Sequence, residues 1–168
     1  AMELDKAMEY LLDNLDDIDN TVIMMFADHR PLRMPNKYLV EYSNVKRSGA
    51  YELERTPMIM YTPNQVPEVI TKRSSTIDML PTISNLFDLK HGTRLFMGVD
   101  LYGEEDPIVV FYNGSWYDQV GYFDAKSSKF TPYNDDITYT SDKIQSVNAS
   151  VKQKLSISSR IYSSDYFN

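Results

Sequence analysis

The sequence predicts an α/β fold: buried strands with flanking helices come first, followed by a small antiparallel β-meander and a C-terminal helix. Three observations carry that expectation. A heptad-like apolar stripe opens the chain, unbroken apolar runs at 22–26 and 57–61 follow it, and an Asn-Gly pair at 113–114 separates two β-rich runs.

Leu4, Met8, Leu11, Leu12 and Leu15 share one face of a 3.6-residue repeat, so the first element is an amphipathic helix. The acidic run "DDIDN" sits badly at the negative end of a helix dipole, and Asn20 is its expected stop. Val22–Phe26 is apolar without alternation, the pattern of a strand covered on both faces by helices, and a parallel strand is expected there, with a short buried helix as the alternative. "KYLVEY" is expected to be a short helix, "TPMIMYTP" a second buried strand bounded by Pro57 and Pro63, and "EVITKR" a weaker strand.

"SSTIDMLPTISNLFDL" switches to helical spacing, with Met79, Ile83, Leu86 and Phe87 on one face, Asp78 as N-cap and Pro81 inside the first turn. Beyond residue 107, "PIVVFY" and "SWYDQVGYF" flank Asn113-Gly114 and are expected to pair through a type I′ turn, with "FTPY" adding a short strand. Ile144, Val147, Val151 and Leu155 mark a last helix from Ser141 to about Leu155, before a polar tail. The pattern change divides the chain into an α/β part over 1–106 and a hairpin subdomain over 107–168.

Composition narrows the function classes. The chain has 168 residues, 42% of them hydrophobic and 24% charged, which suits a globular domain. Its formal net charge of -7 argues against nucleic acid as a partner, because binding a phosphate backbone relies on Lys and Arg. The absence of cysteine excludes disulfides, thiolate metal sites and a Cys nucleophile. No run reaches the length of a membrane span, and the N-terminus lacks the layout of a signal peptide. Ala1 before Met2 has the look of an expression remnant, so the chain is expected to be part of a longer protein. None of the glycines forms a phosphate-binding loop.

Asp28 and His29 follow the first apolar strand, where open α/β sheets carry their ligand sites. A carboxylate beside an imidazole offers a hard oxygen and a borderline nitrogen, suited to Mn²⁺ or Zn²⁺ more than Ca²⁺; the plainer alternative is a helix cap next to a surface histidine. Arg30 either binds an anionic substrate beside that pair or is simply solvated. His91 is read as a surface residue, Trp116 and its tyrosine neighbours as cross-strand packing, and the methionines at 24, 25, 58 and 60 as core filling.

Taken in order, "VIMMFADH", "TPMIMYTP" and the Ser75, Asp78, Pro81, Thr82, Ile83 motif S-x-x-D-x-x-P-T-[LI] resemble the C-terminal half of the sulfatase-like domain of the alkaline phosphatase superfamily. "LFMGVDLYGEEDPIVVFYNGSWYDQ" and the tail "KQKLSISSRIYSSDYF" are similar to the lipoteichoic acid synthases and related phosphoglycerol transferases within it. The resemblance implies a partial sulfatase-like sandwich belonging to a membrane-anchored parent, with its catalytic domain on the extracellular face of a bacterial cytoplasmic membrane. It implies that Asp28 and His29 are metal ligands, of Mn²⁺ or alternatively Zn²⁺, Mg²⁺ or Ca²⁺. The nucleophile and the other ligands would lie upstream, leaving this fragment inactive alone. The implied reaction is transfer of glycerol phosphate from phosphatidylglycerol; the alternatives are sulfate, phosphate or phosphonate ester hydrolysis, or an interaction module with a decayed site. After Asp-His the family continues with a small or Gly-containing segment, whereas here "RPLRMP" follows, and Arg30 and Arg33 suit a more anionic substrate. A half-domain also exposes sheet edge and apolar surface, so self-association is expected.

Overall fold

A computed structural model describes residues 2–43, 52–90, 92 and 95–166. His91 lies outside the described residues. The chain forms two compact units, Ala1–Glu68 and Val69–Asn168, so the boundary read at 106/107 falls inside the second unit.

The first unit begins with helix α1 (Met2–Asp13). The helix stops earlier than Asn20, and the Asn14 side chain donates to the Tyr10 carbonyl at 2.8 Å, sharing that acceptor with its own N–H. A 3₁₀ turn over Ile18–Asn20 then leads to strand β1 (Ile23–Phe26). Helix α2 (Asn36–Glu41) falls within the segment read as helical, and strand β2 (Met58–Tyr61) within the second apolar run.

β1 and β2 pair antiparallel, from Ile23↔Tyr61 to Phe26↔Met58, which corrects the expected parallel strand. An apolar run without alternation reports burial and says nothing about strand direction. The expected burial is also missing within this chain. Phe26 is 53% exposed and Ile59 51%, and no residue of α1 is buried. Neighbours in the register face the same side, so the exposed side chains fall on both faces of the ribbon. Two four-residue strands and two helices, one of them six residues long, are too little to cover each other.

The second unit holds the core. A 3₁₀ turn (Thr76–Asp78) runs into helix α3 (Met79–Leu86). Met79, Pro81, Thr82 and Ser84 are its buried residues, whereas Leu86 and Phe87, read as part of the apolar face, are exposed. "EVITKR" forms no strand.

Strands β3 (Val109–Val110), β4 (Trp116–Tyr117), β5 (Gly121–Asp124) and β6 (Lys129–Pro132) make an antiparallel meander in that order. The Asn-Gly hairpin is present, but its turn is not type I′. Gly114 has φ +83° while Asn113 stays at negative φ, and the turn closes by a Gly114 N–H bond to the Phe111 carbonyl. The Asn113 side chain accepts instead from the Ser115 N–H at 2.9 Å.

"SWYDQVGYF" is two strands because Asp118 accepts from the N–H groups of Val120 and Gly121, closing a tight turn. The other oxygen of this buried carboxylate accepts from the Tyr139 hydroxyl at 2.7 Å, and burial together with that carboxylate pushes the phenol pKa upward.

Helix α4 (Ser141–Ser163) continues well past Leu155, taking in much of the tail read as polar and irregular. Thr140 caps it by accepting from the Lys143 N–H. Trp116, Phe123, Val147 and Val151 form the buried cluster, with Phe130 and Tyr139 packed against it. The Trp116 indole donates to Asn148 Oδ1 at 2.7 Å, so the reading of Trp116 as packing stands. The whole is mixed α/β, with two antiparallel sheets and a C-terminal helix, the class read from the sequence.

Candidate metal and substrate site

The ribbon ends at Phe26↔Met58, and the chain leaves that end in two directions, through Ala27–Arg30 and back through Glu54–Pro57. The Thr56 hydroxyl donates to the Ala27 carbonyl at 3.3 Å, holding the two exits together. Arg30 tightens the same closure: its Nε donates to Glu54 Oε1 at 2.8 Å and its Nη1 to Asn36 Oδ1 at 3.2 Å.

Asp28 and His29 stand on this closed end. His29 Nε2 lies 3.6 Å from Asp28 Oδ1, with side chains 56% and 83% exposed respectively. His29 Nδ1 is 2.7 Å from the Arg30 carbonyl. A carbonyl can only accept, so Nδ1 carries a proton, and Nε2 is the nitrogen that faces the carboxylate. A ligating imidazole is held in this way, by a backbone acceptor on its other nitrogen.

Metal–ligand bonds of about 2.0–2.2 Å place two ligands of one ion about 3–3.6 Å apart. The pair therefore matches a shared divalent ion in spacing and donor chemistry. A complete shell needs about four donors or more, and no group of three or more His, Asp or Glu residues able to hold an ion occurs among the described residues.

Arg30 is held differently from a solvated arginine. Glu54 neutralises it and only 20% of its side chain is exposed. The partners Glu54 and Asn36 were invisible to sequence reasoning, because an ion pair across 24 residues leaves no local pattern. The same closure shapes a cleft of about 350 Å³ in the first unit, with His29 and Arg55 among its polar lining and Met34, Tyr38, Leu39 and Tyr42 among its apolar lining.

The S-x-x-D-x-x-P-T motif serves structure in the second unit. Asp78, 1% exposed, accepts from the Ser75 N–H through Oδ2 and from the Val99 N–H through Oδ1, each at 2.9 Å. It occupies the N-cap position of α3, but its side chain bonds backward, as the third-position partner of a capping box that starts at Ser75. Thr82 Oγ1 donates to the Asp78 carbonyl and accepts from the Leu101 N–H. The motif thus ties the Gly98–Leu101 turn to the helix start, and Lys154 Nζ anchors the same segment through the Met97 carbonyl.

Residues 1–89, more than half of the chain, match the sulfatase family model, and the chain belongs to the sulfatase family. Among characterised relatives it is similar to lipoteichoic acid synthase 1 of Bacillus subtilis (strain 168), with 25% identity over 186 residues that cover 98% of this chain and 27% of the relative. It is likewise 25% identical to lipoteichoic acid synthase of Staphylococcus aureus (strain USA300) over 123 residues, covering 69% of this chain and 19% of the relative. The matched part of the chain therefore spans 19% to 27% of those proteins. No helix among the described residues is long and apolar enough to cross a membrane.

Proposed function

We propose that this chain contributes the Asp28–His29 part of a divalent-metal site to a phosphoglycerol transferase acting on phosphatidylglycerol head groups. The observation that carries the reading is the geometry of the pair: two donors 3.6 Å apart, with His29 Nδ1 bonded to the Arg30 carbonyl. Similarity to two lipoteichoic acid synthases favours transfer of a glycerol phosphate unit. The family model's own description favours the second reading, hydrolysis of a sulfate ester at the same pair.

Asp28 contributes negative charge and an oxygen donor, and His29 a neutral nitrogen donor. A bound Mn²⁺, or Zn²⁺, Mg²⁺ or Ca²⁺ in its place, neutralises phosphoryl oxygens and lowers the pKa of a coordinated hydroxyl. Arg30, paired to Glu54, holds the closed end in shape and has other guanidinium donors to offer an anionic substrate. In this reading the nucleophile and remaining ligands come from outside these residues, and the site works at the outer face of a bacterial cytoplasmic membrane. The uncovered ribbon and α1 face are then where the rest of the domain, or a second copy, packs.

Mn²⁺ titration followed by NMR tests the ligand pair at the weak affinity that two donors allow. Paramagnetic broadening centred on His29 and Asp28, and abolished in Asp28→Ala and His29→Ala, is the expected result. Broadening spread evenly over exposed carboxylates would discard the metal reading. With a protein of the relatives' full length, diacylglycerol release with the glycerol phosphate recovered on an acceptor alcohol marks the transferase, whereas free glycerol phosphate or free sulfate marks the hydrolase.

A further inference from the structure

We propose that Glu54 and Asn36 are positioning residues for the ligand nitrogen of His29, acting through Arg30. The inference rests on the reading of Asp28–His29 as a metal-ligating pair, and it adds what fixes the imidazole in its place.

The His29 ring needs such a restraint. Its side chain is more than half exposed, and among the described residues its one hydrogen bond runs from Nδ1 to the Arg30 carbonyl at 2.7 Å. A ring held at one point follows that point. The direction of Nε2 toward Asp28 is therefore set by the plane of the Arg30–Pro31 peptide, which carries the carbonyl.

Backbone and side chain both fix this plane. The carbonyl lies between the ψ torsion of Arg30 and the φ torsion of Pro31. The proline ring locks the second, and its bulk keeps the preceding residue out of helical backbone, which narrows the first. Arg30 is then clamped through its side chain, by Nε to Glu54 Oε1 at 2.8 Å and by Nη1 to Asn36 Oδ1 at 3.2 Å. The two acceptors sit on separate segments, a 3₁₀ turn over Glu52–Glu54 and the first residue of α2. A planar guanidinium bonded at two corners resists rotation, and this one is 20% exposed. Arg-Pro after Asp-His thus supplies a clamp and a locked torsion, and a small or glycine-containing segment supplies neither.

The test uses the 168-residue chain carrying ¹⁵N-histidine, free of metal and at about pH 8, where an ordinary imidazole is neutral. His91→Gln distinguishes the two histidines. An unrestrained neutral imidazole in water favours a proton on Nε2, so a proton on Nδ1 is the signature of the bond to the Arg30 carbonyl. The parent chain is expected to show it. Arg30→Ala keeps the carbonyl and removes the clamp; Glu54→Ala combined with Asn36→Ala removes the acceptors instead, at two surface positions. Both variants should move His29 toward the Nε2–H form, with the amide resonances of Ile23–Phe26 and Met58–Tyr61 unchanged. Persistence of the Nδ1–H form in both variants, its absence from the parent, or a shift that comes only with loss of the ribbon resonances would overturn the proposal.

Added Mn²⁺ gives the second readout. Half-broadening of the His29 signals should take several-fold more metal in both variants, short of the roughly 10–100-fold cost of removing a group bonded to a ligand directly. Equal broadening in parent and variants overturns the proposal and leaves the ligand pair standing. No broadening in the parent removes the ligand pair itself, and this role with it.

Discussion

Glu54 accepts from Arg30 Nε at 2.8 Å, across 24 residues, and this pair closes the end of the ribbon on which Asp28 and His29 stand. An ion pair with one member largely shielded and the other half-exposed stabilises by about 1 kcal/mol or less. Glu54→Gln should therefore cost little stability in urea unfolding. It should also release the Arg30 charge, so that inorganic phosphate perturbs the His29 ring resonances at lower concentration than in the parent chain. Unchanged phosphate response would show that Glu54 does not restrain Arg30.

Asp78 and Asp124 lead to opposite pH dependences. Burial pushes the Asp78 pKa above its ordinary 3.8, against the pull of the Ser75 and Val99 N–H groups and Lys154. The folded state then holds a proton that the unfolded state has released, so this group's contribution to stability falls as pH rises through its folded pKa. At Asp124, bonds from the Ser127 hydroxyl and the Lys126 N–H lower the pKa, and its contribution is lost as pH falls below 3.8. Urea midpoints followed by the fluorescence of Trp116, the single tryptophan, should lose the falling limb in Asp78→Asn and the acid-side rise in Asp124→Asn. Asp78→Asn should in addition be less stable throughout, by about 1–3 kcal/mol, because an amide offers one acceptor to two buried N–H groups.

A side chain at position 98 has no room. A Cβ on Gly98 would overlap the Ile77 carbonyl and lie 2.6 Å from Asp78 Oδ1. Gly98→Ala should destabilise the second unit by about 1–3 kcal/mol, since backbone and a bonded carboxylate cannot step aside. Gly92→Ala is the control, as among the described residues the closest atom to its Cβ position is Leu95 Cδ1 at 3.9 Å. Equal melting temperatures for the two variants would disprove the close approach.

Trp116 is fully buried and its indole N–H is satisfied by Asn148. Trp116→Phe should cost more than its lost volume, because Asn148 Oδ1 loses its donor. Asn148→Leu strands the indole N–H and should cost a similar amount, about 1–3 kcal/mol, in thermal unfolding. A double variant, Trp116→Phe with Asn148→Leu, should lose less than the sum of the two. Strict additivity would mean that the bond contributes nothing.

The exposed apolar ribbon makes a further prediction about association. Sedimentation of the 168-residue chain should show concentration-dependent self-association, reduced in Ile59→Lys. A strict monomer at high concentration would remove the ribbon as an interface between copies.

Local signals in the sequence determined much of this protein. Spacing of apolar residues marked α1, α3 and α4, and Asn113-Gly114 marked the hairpin, because each depends on neighbours a few residues away. Asp28 and His29 were legible as a pair for the same reason. Where local rules competed, the reading slipped: Asp118 capped a turn inside a run that looked like one strand, and α4 ran on through residues too polar to signal a helix. Tertiary structure alone decided the antiparallel register of Ile23–Phe26 with Met58–Tyr61, the Arg30–Glu54 closure, and the two backbone N–H groups that meet on Asp78. Those features join residues far apart in sequence. A long-range contact is set by chain geometry, to which no short window of residues responds.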